Sequence, residues 1–364
     1  MDITRRRLIA SATGTVGVGS IAGCLGGRAG SEPADAGPTA QGSFFVFGDI
    51  AARVAGDATA TDLLVPVGQH GHGWEPGPRV REEIRDADLL VHGMPGFQPW
   101  VDDVLGDLDA DGSEVETVDA SADVDLIAAG EHHVDDHTED GHDDEAHHDD
   151  DHTEESHDDH TEEHHTEESH DDHTEDHDGG EGGHDHGGMD PHFWMDPLRV
   201  RDAAGTVRGA LSAVDPDAAD AHADNAAAFR TELETLDERI ESLVADAARD
   251  TVLVAGHDSF AYAAERYGLS FRTLTGLAPD DQPTTRDIER AGDVIDEHDL
   301  RYVCADPLES QRAAEQLVAE TDAEEVLPLT AMPGLTDEWA AEDWGYVEVM
   351  EEVNLPTLER VLTE

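Results

Sequence analysis

Short apolar runs alternate along this chain with stretches in which apolar residues recur every three or four positions. Residues 43–47 (Ser-Phe-Phe-Val-Phe), 62–67, 87–92 and 115–118 predict strands of a buried parallel sheet. Helical spacing covers 49–55, 78–86 and 98–105 between them, and 198–214 after a long polar interruption. A second set of strands is predicted over 251–257, 271–274, 301–306 and 325–329, with helices over 259–267, 284–298, 310–320 and 344–362. Strand and helix taking turns in this way predict α/β architecture with parallel sheets, whose ligand sites lie beyond the carboxyl ends of strands.

The two sets are separated by one long helical pattern. Asp215-Pro216 is a helix start, an N-cap carboxylate followed by proline at the first helical position. Phe229, Leu233, Leu236, Ile240 and Leu243 then mark one apolar face. Carried to Arg249, roughly 34 residues at about 1.5 Å each would span about 50 Å. The expected organisation is an N-terminal α/β lobe over 43–214, a linker helix over 215–249 and a C-terminal α/β lobe over 250–364. The expected fold class is α/β, with two parallel-sheet lobes separated by one long helix.

The polar interruption, 130–189, changes the picture most. Residues 131–190 hold 16 of the 23 histidines and 27 of the 87 acidic residues, and almost nothing apolar. The word Asp-Asp-His-Thr-Glu begins at Asp135, Asp150, Asp158 and Asp171. Such a segment cannot bury enough surface to offset its ordering entropy, so a disordered loop inserted in the first lobe is expected. A solvated linker accounts for the carboxylates but not for the imidazoles, which are good zinc ligands. Metal capture is expected from His132, His133, His137, His142, His147, His148, His152, His157, His160, His164, His165, His170, His173, His177, His184 and His186.

Charge and cysteine narrow the class. The formal charge is -66, and all 21 basic residues are arginine. Most of the acids lie outside the histidine-rich loop, so the surface as a whole repels phosphate and nucleic-acid binding is not expected. Acidity this general is similar to that of proteins from extreme halophiles, where salt screens self-repulsion. Arg5-Arg6-Arg7 precedes a small-residue apolar run ending Ile21-Ala22-Gly23-Cys24. Residues 1–24 thus read as a twin-arginine lipoprotein signal, with Cys24 the lipidated residue and 25–42 a flexible tether. The protein is expected to be exported and anchored to the outer face of the cytoplasmic membrane. With Cys304 the other cysteine of the chain, a disulfide framework is not expected.

His72, His192 and His257 lie in three separate parts of the chain, each after a predicted strand or at the opening of a new segment. Brought together, they supply three neutral imidazoles, a set suited to zinc. His92 also follows a strand. The neighbouring residues carry a resemblance. Val65-Pro66-Val67-Gly68 followed by His72-Gly73-Trp74-Glu75-Pro76 resembles a ligand turn of the zinc- and manganese-binding solute-binding proteins of ABC importers. Asp190-Pro191-His192-Phe193-Trp194-Met195-Asp196-Pro197 is similar to that family's second ligand motif. Gly256-His257-Asp258-Ser259-Phe260-Ala261-Tyr262 with Tyr267-Gly268-Leu269 is similar to its third. The Pro95-to-Trp100 stretch also looks familial, and zinc-specific members carry a histidine-rich loop at the same place.

The resemblance implies a cluster A-I binding protein, two parallel-sheet α/β lobes joined by one long rigid helix, holding Zn(II) between the lobes as transported ligand, with His72 and His192 from the first lobe and His257 from the second. Manganese members have a carboxylate at the third position, so His257 favours zinc. The departure is at the fourth position. Where the family has Asp in an Asp-Pro-Leu turn, this chain reads Leu329-Thr330-Ala331-Met332-Pro333-Gly334. Water, Asp306, Glu309, Glu75 or His70 are the alternatives for that ligand. The implied function is capture of zinc and delivery to a membrane permease, with the permease and ATPase subunits of an importer as partners and the binding protein a monomer. The alternatives are a manganese or other divalent-metal member of the same family, a zinc-dependent hydrolase, or a surface zinc buffer. No His-Glu-x-x-His sequence supports the hydrolase.

Overall fold

The computed structural model describes residues 37–130, 188–278 and 281–364. The apolar run at 43–47 is not the first strand. That strand is β1 (Thr39–Gly42), inside the stretch expected to be tether, and the run opens helix α1 (Phe45–Ala55). Phe45, Val46, Phe47, Ile50, Ala51 and Val54 of α1 are all buried. A short continuous apolar run looks the same whether it becomes a buried strand or a buried helix. β1 takes its place through backbone pairing on both edges, with β2 (Ala60–Leu63) and β3 (Leu89–His92), and only the small Ala40 side chain enters the core. At its end, a Cβ on Gly42 would strike the backbone of Gly48, so glycine is what lets α1 fold back against the strand.

The first sheet is completed by α2 (Pro78–Arg85), α3 (Pro99–Asp111) and β4 (Glu116–Asp119), in the parallel order β2-β1-β3-β4. β2 ends earlier than the apolar pattern suggests, because the chain leaves the sheet towards Pro66, which has no N–H to donate. The chain re-enters the described region through an antiparallel bridge between Ala128 and Met189. Asp196 then caps α4 (Pro197–Val214), accepting the Leu198 N–H at 2.9 Å.

The linking helix is shorter than the pattern predicts. A 3₁₀ turn at Pro216–Ala218 precedes α5 (Ala219–Ala245), whose 27 residues span about 40 Å at about 1.5 Å per residue. Its buried stripe is Phe229, Leu233, Leu236 and Ile240. α5 packs on α1 and α4 of the first lobe and on elements of the second.

The second lobe comprises β5 (Thr251–Val254), α6 (Ala261–Tyr267), β6 (Ser270–Thr273), α7 (Thr285–His298), β7 (Tyr302–Ala305), α8 (Arg312–Glu320) and β8 (Glu325–Pro328). Its order, β6-β5-β7-β8, repeats that of the first sheet, again all parallel. In each lobe the strand order reverses beside the first strand, which opens a crevice at that strand's carboxyl end. The chain closes with α9 (Asp337–Ala341), α10 (Tyr346–Val349), a π-helical segment (Met350–Asn354) and α11 (Leu355–Thr363).

One hydrophobic core runs through both lobes, from Phe44, Phe47 and Trp194 through Phe229 and Leu236 to Tyr262, Tyr346 and Leu358. Each lobe adds a smaller cluster on its far side, around Leu90 and Trp100 in the first and around Val303 and Leu317 in the second. A polar network reinforces the joint. Asp49 of α1 accepts the Tyr346 N–H at 3.0 Å, and a Cβ on Gly345 would collide with its carboxylate. Arg53, one turn on, pairs with Glu232 of α5 at 3.0 Å and with Glu348 of α10. Burial pushes the Asp49 carboxyl up to about 6, against the pull of Arg53. Among the described residues, no helix is long and apolar enough to cross a membrane.

Candidate metal centre

Three loops converge where the two crevices face each other. The first follows β2 and carries His72. It lies against the 333–335 turn of the second lobe, where Gly71 N–H donates to Pro333 O at 2.7 Å and Gly68 N–H to Leu335 O at 2.7 Å. A Cβ on Gly71 would meet the Phe44 ring and Pro333 O, and one on Gly334 would meet Gln69 O. Only glycine permits that approach. The His72 ring is wedged edge-on between Phe44 and Phe97, with centroids at 5.3 Å and 5.0 Å.

The second loop leads out of the histidine-rich insertion. Asp190 N–H donates to Ile127 O at 2.9 Å, and the Asp190 Oδ1 atom accepts both the backbone N–H of His192 and its Nδ1, each at 2.8 Å. Asp two residues before His makes this turn from its own side chain. The segment is also held from the second lobe. Tyr262 Oη donates to Asp190 O at 2.6 Å, Trp194 Nε1 to Ala331 O at 2.8 Å, and Tyr346 Oη to Trp194 O at 2.7 Å.

The third loop follows β5 and carries His257, with Glu309, from the turn after β7, 3.3 Å from its Nδ1. The result is a compact trio. One ligating atom from each of His72, His192 and His257 can be chosen so that all lie within 4.8 Å of one another. All three rings are buried, at 7%, 1% and 5% exposure. His192 Nε2 and His257 Nε2 stand 3.4 Å apart. Two nitrogens about 2.0–2.1 Å from one tetrahedral zinc ion would be separated by roughly 3.3–3.4 Å, so this spacing fits. Burial holds the His192 pKa below its ordinary value, with Asp190 opposing, which favours the neutral imidazole a metal needs.

Among the described residues no fourth His, Cys, Asp or Glu joins the trio. Glu75 is exposed. Asp306 is committed elsewhere, Oδ1 to Leu308 N–H at 2.8 Å and Oδ2 to Thr330 Oγ1 at 2.5 Å, and burial raises its carboxyl to about 6. Glu309 bridges His257 and His70, its Oε1 3.3 Å from His70 Nε2. Burial opposes its ionisation, but hydrogen bonds from His257 and His70 outweigh that and hold it at about 2. His92 is buried with its Nδ1 2.7 Å from Gly93 O and stands outside the trio. The loop histidines between His132 and His186, and Cys24, lie outside the described residues. The sequence carried no sign of the orienting role of Asp190 beyond its two-residue spacing from His192, nor of the tie from Tyr262.

The chain has known relatives. The family model for the periplasmic zinc-uptake complex component A matches residues 42–361. The zinc-binding lipoprotein AdcA of Streptococcus pneumoniae R6 is 27% identical over 318 residues, covering 87% of this chain and 54% of that protein. The high-affinity zinc uptake system protein ZnuA of Bacillus subtilis 168 is 26% identical over 316 residues, covering 87% of this chain and 85% of that one. The chain spans about half the length of the AdcA relatives it matches. The fold is that of the Zn(II)-bound ZnuA-like domain of S. pneumoniae AdcA, with a TM-score of 0.65 at 24% identity, covering 90% of this chain and all of that domain. The metal-dependent lipoprotein YcdH of B. subtilis superposes with a TM-score of 0.64 at 22% identity, covering 89% and 99%.

Proposed function

The chain belongs to the zinc-uptake complex component A family, and on that premise we propose that it is the exported zinc-capturing component of a metal ABC importer. One observation carries the proposal: three buried imidazoles from distant parts of the chain offer ligating atoms within 4.8 Å of one another. An all-imidazole set suits zinc better than the harder manganese ion, which prefers oxygen. Zinc is the cargo, held by His72, His192 and His257, with the fourth position left to water or to a ligand brought by closure.

Delivery accounts for the site better than turnover. Of the carboxylates beside the trio, Asp190 is engaged at His192 Nδ1 and Glu309 at His257 Nδ1 and His70 Nε2, so neither stands ready to activate a water. The sixteen loop histidines hold further ions weakly and raise the local zinc concentration. Cys24, in its lipoprotein-like setting, tethers the protein to the outer face of the membrane beside the permease and ATPase that take the ion onward. The lobes share one core and one linking helix, so uptake and release proceed through small loop shifts and not a wide hinge.

Competition titration with a zinc chelator tests the site. His72→Ala, His192→Ala and His257→Ala should each lose more than the roughly 10- to 100-fold typical of removing an orienting partner. His298→Ala, on α7, should leave the tight site unchanged. Tight binding preserved in all three site variants would overturn the assignment.

A further inference from the structure

Glu309 stands in the second lobe, on the turn after β7, with a defined posture. Its N–H donates to Asp306 O at 3.0 Å, and Gln311 Nε2 donates to its carbonyl at 3.1 Å. One carboxylate oxygen, Oε2, rests over Gly256, where a Cβ would come within 3.1 Å. The other, Oε1, is 3.3 Å from His257 Nδ1 and 3.3 Å from His70 Nε2. His70 belongs to the first lobe, so this single oxygen joins the two lobes at the rim of the cleft.

The side of the ring matters. His257 Nε2 faces His192 Nε2 at 3.4 Å, while Glu309 meets the opposite nitrogen. An acceptor at Nδ1 keeps the proton there and leaves the lone pair on Nε2, aimed at the metal. Asp190 does the same for His192 from the first lobe. Each lobe thus supplies a histidine and the carboxylate that fixes its tautomer.

We infer that Glu309 is a positioning residue and not the fourth ligand: it orients His257 through Nδ1, and His70 holds it there from across the cleft. The inference rests on His257 being a ligand. It makes the readiness of the second lobe's ligand depend on a contact from the first. When His70 withdraws, Glu309 loses one of its two imidazole partners and His257 is less firmly held, which couples lobe contact to metal affinity without any change in the ligand set.

The test uses the full chain, with a chelator to isolate the tightest zinc ion and long-range ¹H–¹⁵N spectra of the metal-free protein to read the His257 tautomer. The His257 ring signals are identified by their loss in His257→Ala. Glu309→Ala should lower tight zinc affinity by roughly 10- to 100-fold and turn a single Nδ1–H tautomer into a mixture. Glu309→Gln, whose amide oxygen still accepts, should stay within a few-fold of wild type and keep the tautomer. His70→Ala should weaken binding less than Glu309→Ala and partly mix the tautomers. Glu309→Ala with affinity and tautomer both unchanged would overturn the inference. So would Glu309→Gln losing as much affinity as Glu309→Ala while the tautomer holds, since that is the signature of a direct ligand. If His257→Ala itself leaves tight binding intact, the zinc-site reading fails instead, and the two failures are told apart.

Discussion

Asp49→Asn should make the protein's stability less sensitive to pH, and the size of the effect follows from where Asp49 sits. Its carboxyl is raised from 3.8 to about 6, first by burial, with Arg53 opposing. An acid whose folded pKa is raised favours the folded state while protonated. That stability is fully present below the unfolded pKa and lost as pH climbs through about 6. The whole shift of about 2 units corresponds to about 3 kcal/mol. About half of it, roughly 1.4 kcal/mol, falls between pH 5 and pH 7.5, a range above the pI of about 4.2. The side chain keeps only 12% exposure, so solvent screens little of this. Asparagine still accepts the Tyr346 N–H but has no charge to bury. Urea unfolding of chelator-treated wild type and variant at the two pH values gives the comparison, because other titrating groups cancel in the difference. The variant should gain on wild type by about 1–2 kcal/mol from pH 5 to pH 7.5. A difference that does not move with pH would refute a buried, poorly compensated carboxylate at this joint.

Three further outcomes follow. Asp190→Ala should weaken tight zinc binding by roughly 10- to 100-fold through loss of the His192 tautomer, whereas Asp190→Asn should lose less, both read by chelator competition. Deleting residues 132–186 should reduce the zinc bound per chain, by direct metal analysis, from several ions to one while that one stays tight; loss of the tight ion would mean that the loop supplies ligands to it. Gly334→Val should force apart the 69–71 and 333–335 loops at the Gln69 carbonyl, costing about 1–3 kcal/mol in unfolding experiments and weakening zinc binding with it.

The strands with dense apolar runs, such as Leu89–His92 and Thr251–Val254, were legible because burial on both faces demands such runs. β1 was not, since Thr-Ala-Gln-Gly has no strand signature and its placement comes from two neighbours that are remote in sequence. The Phe44–Phe47 run misled for the same reason in reverse: it is apolar enough for a strand but is spent on α1. The trio of histidines could be named from sequence because each sits in a local motif. What the motifs could not say is which nitrogen of His192 and of His257 turns towards the other rings of the trio, because that depends on Asp190 and Glu309 reaching Nδ1 in the folded chain. From sequence Glu309 could be named only as one alternative for the fourth ligand, because its contact with His70 joins residues 239 positions apart.

The unbroken core has a consequence for how this protein comes apart. Trp194 of the first lobe gives its indole proton to Ala331, Tyr346 of the last helices gives its hydroxyl to Trp194 O, and Phe229 of the linking helix lies in the same apolar mass. Among the described residues this shared core leaves no seam between the lobes, so heating should produce a single transition seen alike by near- and far-ultraviolet circular dichroism. A fragment ending after α5 would strip Trp194 of its Ala331 and Tyr346 partners and uncover apolar surface that the second lobe buries, as in an unfinished protein. Two lobes in outline, residues 38–364 should unfold as one cooperative unit.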